Sequence, residues 1–141
     1  MYYIYSNVYE EIIKTIGNAP IESGGIIGIK NNIICKFYFD KSESRHNTMY
    51  IPNTKVLNYI IDKWADSNID FAGIVHSHPN SCTTPSLEDY YYATNLKQLN
   101  PTLKKILFPI VTIENKIVNI TFYEFDNNFS PESFKIIDNK L

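Results

Sequence analysis

The stretch Phe71-Ala72-Gly73-Ile74-Val75-His76-Ser77-His78-Pro79 decides how this chain is read. Phe71 to Val75 is a short continuous apolar run bounded by turn signals, the pattern of a strand buried on both faces. It leads straight into His76-Ser77-His78. In an extended chain residues i and i+2 point to the same side, so both imidazoles can converge on one ion. Pro79 cannot donate to a ladder and marks the strand's end, where an open α/β sheet keeps its ligands. Taken alone, His-x-His reads more simply as two surface histidines in a polar loop.

Working upstream, Thr54 to Ser67 is an amphipathic helix with Val56, Leu57, Ile60, Ile61 and Trp64 on one face. Asp40 to Asn53 is polar and without period, a loop. Gly24 to Lys30 and Ile33 to Phe39 are two β-rich runs joined by Asn31-Asn32, a hairpin turn. Ser6 to Ile16 places Val8, Ile12, Ile13 and Ile16 at helical spacing after a Ser6 or Asn7 cap, and Gly17-Asn18-Ala19-Pro20 stops that helix. Downstream, a third helix spans Ser86 to Gln98. Two strands follow, Lys105 to Glu114 and Lys116 to Glu124, with the turn at Asn115. Pro109 predicts an edge position or a bulge. Ser130-Pro131-Glu132 has the form of a cap and first turn of a terminal helix. Strands interleaved with helices predict an α/β fold, a mixed β-sheet with helices on both faces. No repeat or linker divides the chain, so one domain spanning 1–141 is expected.

Composition narrows the function. Of 141 residues, 44% are hydrophobic and 20% charged, the balance of a globular protein able to build a core. A net charge of -2 with scattered Lys and Arg gives no electrostatic reason to expect nucleic acid or an anionic membrane. Cys35 and Cys82 make neither a disulfide framework nor a C-x-x-C pair. Residues 1–10 lack a signal-peptide pattern, and no apolar run approaches the roughly 18–20 residues that span a bilayer. A cytoplasmic protein without a membrane partner is expected.

Two carboxylates complete a chemical reading. Ser86-Leu87-Glu88-Asp89 after Pro85 is in the first place a helix start, with Ser86 as N-cap and Asp89 reciprocating from the third helical position. A carboxylate fixed in that first turn can also bind a cation. Two neutral imidazoles and one carboxylate leave zinc a fourth position for water, the pattern of a catalytic site. Glu22 precedes Ser23-Gly24-Gly25-Ile26-Ile27-Gly28, whose glycines allow close backbone approach. Its plain reading is a solvated turn residue. Metal-assisted hydrolysis needs a base, and Glu22 is the leading candidate once the histidines are granted.

Glu22, then His76-Ser77-His78, then seven residues to Ser86 and two more to Asp89, resembles the JAMM (MPN-plus) zinc metallopeptidase motif in residue types and spacing. Glu22-Ser23-Gly24-Gly25 with Gly28 is similar to the segment around the family's glutamate in its small prokaryotic members. The resemblance runs from about Ser6 to Glu124. It implies a JAMM/MPN, cytidine-deaminase-like architecture, one Zn2+ per chain held by His76, His78 and Asp89, Glu22 as general acid and base, and Ser86 bonding the developing oxyanion. It further implies cleavage of a peptide or isopeptide bond after the tail of a ubiquitin-like or sulfur-carrier protein, docked near the 40–53 loop.

Tyr90-Tyr91-Tyr92 continues the helix without the insertion that larger members use to grip ubiquitin chains; the run reads as a half-buried helix face. Cys82, between the ligands, reads as a loop residue whose thiolate could compete for zinc, and His46 as a surface residue. Nucleobase deaminases need His-x-Glu and Pro-Cys-x-x-Cys, which this chain lacks. A RadC-like DNA-associated protein shares the His-x-His-Pro and Pro-Ser-x-x-Asp spacing. A non-catalytic scaffold of the same fold is the remaining alternative.

Overall fold

A computed structural model describes residues 1–18, 23–41, 52–78 and 82–138. Glu22, His46, Pro79 and most of the 40–53 loop lie outside the described residues. The elements are β1 (Tyr2–Tyr5), α1 (Ser6–Thr15), a 3-10 turn (Ile16–Asn18), β2 (Gly24–Lys30), β3 (Ile33–Phe39), α2 (Thr54–Asp66), β4 (Asp70–Ser77) and α3 (Leu87–Leu99). Then come β5 (Ile106–Leu107), β6 (Ile110–Glu114), β7 (Ile117–Thr121), β8 (Tyr123–Phe125), β9 (Phe129–Pro131) and β10 (Phe134–Ile137).

β4, the strand of the deciding stretch, is the hub of one mixed sheet. It pairs antiparallel with β2 on one side and parallel with both β5 and β6 on the other. The full order is β10-β1-β3-β2-β4-β5-β8-β9, with β6 branching from β4 and β7 pairing β6. Close strand approach is secured where side chains are missing: a Cβ on Gly25 would overlap the Tyr38 carbonyl, and one on Gly73 that of Leu107. Both expected hairpin turns are present. Asn31-Asn32 and Asn115-Lys116 all have positive φ, the two-residue geometry whose twist matches the strands it joins.

Helices cover both faces, as the interleaving predicts. On one face α1 buries Val8 and Ile12, followed by Ile16, against Ile27, Ile34 and Val75. On the other, α2 and α3 pack Leu57, Trp64, Ala93 and Leu96 onto Ile26, Ile74 and Phe108. Alternate residues of β2 and β4 therefore feed two cores, which is why their sequences read as unbroken apolar runs.

Three sequence expectations need correction. β1 was not anticipated; it runs directly into α1, so Tyr5, without a side-chain bond, takes the cap position expected of Ser6 or Asn7. Gly17 follows the C-cap Ile16 where the sequence places the helix stop, without positive φ: it lies in the 3-10 turn, where a Cβ would sit 3.1 Å from the methyls of Val118. Pro109 is not on an edge: it interrupts the strand between β5 and β6, and its carbonyl accepts the His76 N–H at 3.2 Å. No terminal helix forms at Ser130. That segment is β9, followed by β10, which pairs parallel with β1.

This C-terminal segment curls the sheet. β9 lies on β8 at one end of the strand order and β10 on β1 at the other. Tyr2 Oη donates to Glu124 Oε2 at 2.5 Å across the closure, and Lys105 Nζ lies 3.2 Å from the same carboxylate. Burial first, then the Glu124 hydrogen bond and charge, push the Tyr2 hydroxyl well above its ordinary pKa. A raised folded-state pKa means stability that is complete below the unfolded value near 10 and declines as pH rises beyond it. Tyr2→Phe should lower the unfolding free energy in urea at pH 7 by about 1.5–3 kcal/mol, the range for a bond to a charged group. It should also flatten the loss of stability above pH 10.

Candidate metal centre

The end of β4 and the start of α3 build the centre. His76 and His78 project from β4 and its immediate continuation toward the face covered by α3, where Ile74 also points. α3 begins with a reciprocal capping box: Ser86 Oγ accepts the Asp89 N–H at 3.1 Å, and Asp89 Oδ2 accepts the Ser86 N–H at 2.9 Å. The box locks the Asp89 carboxylate in the first helical turn, facing the strand end.

Three ligand atoms meet there. His76 Nε2 lies 2.9 Å from His78 Nε2 and 3.2 Å from Asp89 Oδ1, and His78 Nε2 lies 2.9 Å from Asp89 Oδ2. Ligands bound at 2.0–2.1 Å to a tetrahedral ion stand about 3.3 Å apart, so the triangle is within a few tenths of an ångström of what a metal requires. The donor chemistry fits as well. His78 Nδ1 lies 3.2 Å from the Cys82 carbonyl, an acceptor only, so Nδ1 carries the proton and Nε2 faces the cluster. His76 Nδ1 is buried with no partner among the described residues, leaving Nε2 as the nitrogen engaged in the cluster. Among the described residues these three form the group able to hold a metal ion. Nitrogen, nitrogen and oxygen donors suit zinc and other divalent transition metals.

Electrostatics follow from the triangle. Burial pulls His76 below its ordinary pKa, against the neighbouring Asp89. Burial also lowers His78, but the Asp89 hydrogen bond and charge outweigh it and push the imidazole to about 9. Burial would raise Asp89; hydrogen bonds from His76 and His78 overcome it and hold the carboxyl well below the carboxylate range. Metal-free, the site is therefore a protonated His78 clamped on an ionised Asp89.

The remaining sequence candidates distribute as follows. Ser86 is half-buried beside Asp89, with its Oγ accepting and its own proton available to donate. Cys82 is exposed; its Sγ turns to Thr84, 3.6 Å from both carbonyl and hydroxyl oxygens, its carbonyl faces His78 Nδ1, and its thiol also interacts with the His78 imidazole. Tyr90 and Tyr92 are half-buried as expected, while Tyr91 is 62% exposed. Glu22 is outside the described residues, but its chain neighbour Ser23 is fully buried against Ser77, between the two histidines. Sequence reasoning missed a cavity of about 470 Å³ between α2 and α3, floored by Ile26 and Ile74 and walled by Leu57, Tyr92 and Leu96. It follows from the tertiary spacing of two helices. Burial, then the charge of Asp40, raises the Tyr92 hydroxyl to about 12, so it remains a neutral hydrogen-bonding group.

No family model and no curated protein sequence matches the chain. Solved structures do. Protein DSY2949 from Desulfitobacterium hafniense matches with a TM-score of 0.76 at 14% identity, covering 99% of this chain and 94% of that one. AF2198, a JAB1/MPN domain protein from Archaeoglobus fulgidus, matches at 0.57 and 15% identity over 98% of both chains. A structure described as a JAMM metalloprotease-like zinc site in the proteasome and signalosome matches at 0.55 and 15% identity, covering 98% and 99%. At such identities the likeness shows the fold alone, and the fold is that of JAB1/MPN and JAMM domains. Among the described residues no helix is long and apolar enough to cross a membrane.

Binding a metal at Nε2 must displace the His78 proton. Uptake should thus release close to one proton per chain at pH 7, and affinity should climb about tenfold per pH unit until about pH 9. Calorimetric titrations in buffers of different ionisation enthalpy read the proton count.

Proposed function

We propose that this chain is a cytoplasmic zinc-dependent peptidase or isopeptidase that cleaves after the C-terminal tail of a ubiquitin-like or sulfur-carrier protein. The observation that carries the reading is the convergence of His76 Nε2, His78 Nε2 and the Asp89 carboxylate on one point, with an acidic residue and a hydroxyl at the family's spacing around them. His76, His78 and Asp89 would hold zinc, which supplies a Lewis acid and brings the pKa of a water in its open position near 7. Glu22 would serve as the general base and acid, taking a proton from the attacking water and returning one to the leaving amine. The Ser86 hydroxyl, accepting from the Asp89 N–H, still has a proton to donate to the developing oxyanion.

The substrate side of the reading rests on the cavity beside the centre. Ile74 is two residues before His76 on the same strand, and Tyr92 is three residues after Asp89 on α3, so the groove adjoins the centre along both elements. Pro52, at the end of the 40–53 loop, lines it too. An extended tail lying there would offer backbone to the polar rim and side chains to the apolar floor. Free Cys35 and Cys82 suit a reducing compartment.

The test is metal content followed by turnover. Elemental mass spectrometry should find about one zinc per wild-type chain and none in His78→Ala; full occupancy in that variant would sink the ligand assignment. Glu22→Gln should keep its zinc and lose about 100-fold or more in hydrolysis of carboxy-terminal ubiquitin-like fusions. Retained activity would remove Glu22 from the mechanism. Absence of metal in the wild type, even after added zinc, would favour a non-catalytic scaffold.

A further inference from the structure

The groove between α2 and α3 carries a charge that nothing in the fold answers. Of the residues lining it only Asp62 is charged. Asp62 makes no hydrogen bond or ion pair among the described residues, and its neighbour Lys63 lies over the Tyr59 ring, 5.2 Å from the centroid. Thr54, Asn58 and Asp62 recur every four residues and form one polar row along α2, beside the apolar floor of Ile26 and Ile74. Packing fixes where along the groove the acid stands. Trp64, two residues on, lies against Gly28, where an added Cβ would sit 3.0 Å from its ring, and Gly28 pairs with Phe71. Phe71 is five residues before His76, about 16 Å along an extended strand. Asp62 therefore marks the end of the groove remote from the metal centre.

We propose that the groove binds the substrate segment on the amino side of the cleaved bond, and that Asp62 selects a Lys or Arg about four to six residues before that bond. An extended peptide rises about 3.3 Å per residue, so a chain with its scissile carbonyl at the centre brings that stretch beside Asp62. A carboxylate with no partner at the rim of an apolar groove attracts a cation and repels an acid. The aliphatic stem of Lys or Arg covers apolar surface while its head reaches the carboxylate, and the forked guanidinium matches it in shape. Aliphatic side chains between that residue and the bond lie on Ile26 and Ile74. A cavity of about 470 Å³ is within the size range of sites that enclose a ligand of this kind. The inference rests on the peptidase reading for the word substrate, and its test keeps the groove and the reaction apart.

The measurement is fluorescence anisotropy with short peptides of alternating leucine and serine, labelled at the amino end. Each carries a single Arg or Glu at the fourth, fifth or sixth position from its carboxyl end. Wild-type protein should bind the best Arg peptide about 5–20-fold tighter than its Glu counterpart at low ionic strength, and added salt should shrink the preference. Asp62→Asn should reduce the ratio to within about twofold, and Asp62→Lys, at an exposed helix position, should invert it. Asp66→Asn, which removes an exposed acid of the same helix outside the groove, should leave the ratio unchanged. Absence of binding, a preference that survives Asp62→Asn, or an equal loss in Asp66→Asn would overturn the proposal. Displacement of the Arg peptide by octylammonium at an equal concentration would assign the groove to a free amphipathic amine instead. A dimer in sedimentation that Asp62→Lys dissociates would assign it to a second copy of the chain. If the Arg preference behaves as expected while fusions bearing the same segment are not cleaved, the groove stands and the peptidase reading is what fails.

Discussion

One carboxylate holds the centre together. Asp89 accepts the Ser86 N–H through Oδ2, which lies 2.9 Å from His78 Nε2, while Oδ1 faces His76 Nε2 at 3.2 Å. The first bond belongs to helix capping and the other two to the centre, so the start of α3 and the end of β4 are joined through a single side chain. Capping satisfies amides that the helix leaves unpaired, and it also freezes the carboxylate's rotamer before any ion arrives. The imidazoles need no mobile partner to find. They project from the strand that the whole sheet pairs around, and α3 brings the third ligand to them.

That arrangement was legible because each of its parts is local. His76 and His78 read correctly as neighbours on one side of an extended chain, and Ser86 with Asp89 as a capping box, because both inferences depend on spacings of two and three residues. The hairpins at Asn31-Asn32 and Asn115-Lys116 were legible for the same reason. What escaped is non-local. Tyr2 to Tyr5 is only four residues long, and its strand identity comes from pairing with β10, some 130 positions away, and with β3. Ser130-Pro131-Glu132 satisfies the local signature of a helix start, yet Pro131 pairs with Tyr123 in an edge strand, where its missing N–H costs nothing. Tertiary pairing overrode local preference at both ends of the sheet.

Curling has a consequence for the site even though it occurs at the far strands. Phe134 of β10 packs on Phe122, with ring centroids 4.1 Å apart, and on Tyr9 of α1 at 6.1 Å. α1 in turn covers the face of β4 opposite the histidines, through Ile12 and Val75. The strand that carries the two histidines is thus supported from behind by a helix that the C-terminal segment helps to hold down. A change at Phe134 would reach the centre through packing, although no residue of β10 touches it among the described contacts.

The fold shared with JAB1/MPN and JAMM domains at 15% identity shows how little sequence this architecture needs, and so how little it says about chemistry by itself. The chemical argument has to come from side chains, and Ser77 shows where it becomes specific. Between two ligands on a strand, any β-compatible residue would satisfy the pleat. A buried residue facing the α1 side would ordinarily be apolar, as Val75 is two positions earlier. Serine there gives up hydrophobic burial, a cost of roughly 1–2 kcal/mol against valine. What the serine provides in exchange is a hydroxyl that accepts the Ser23 N–H at 3.0 Å and lies 3.5 Å from the Ser23 carbonyl, tying the start of β2 to the end of β4 between the two histidines.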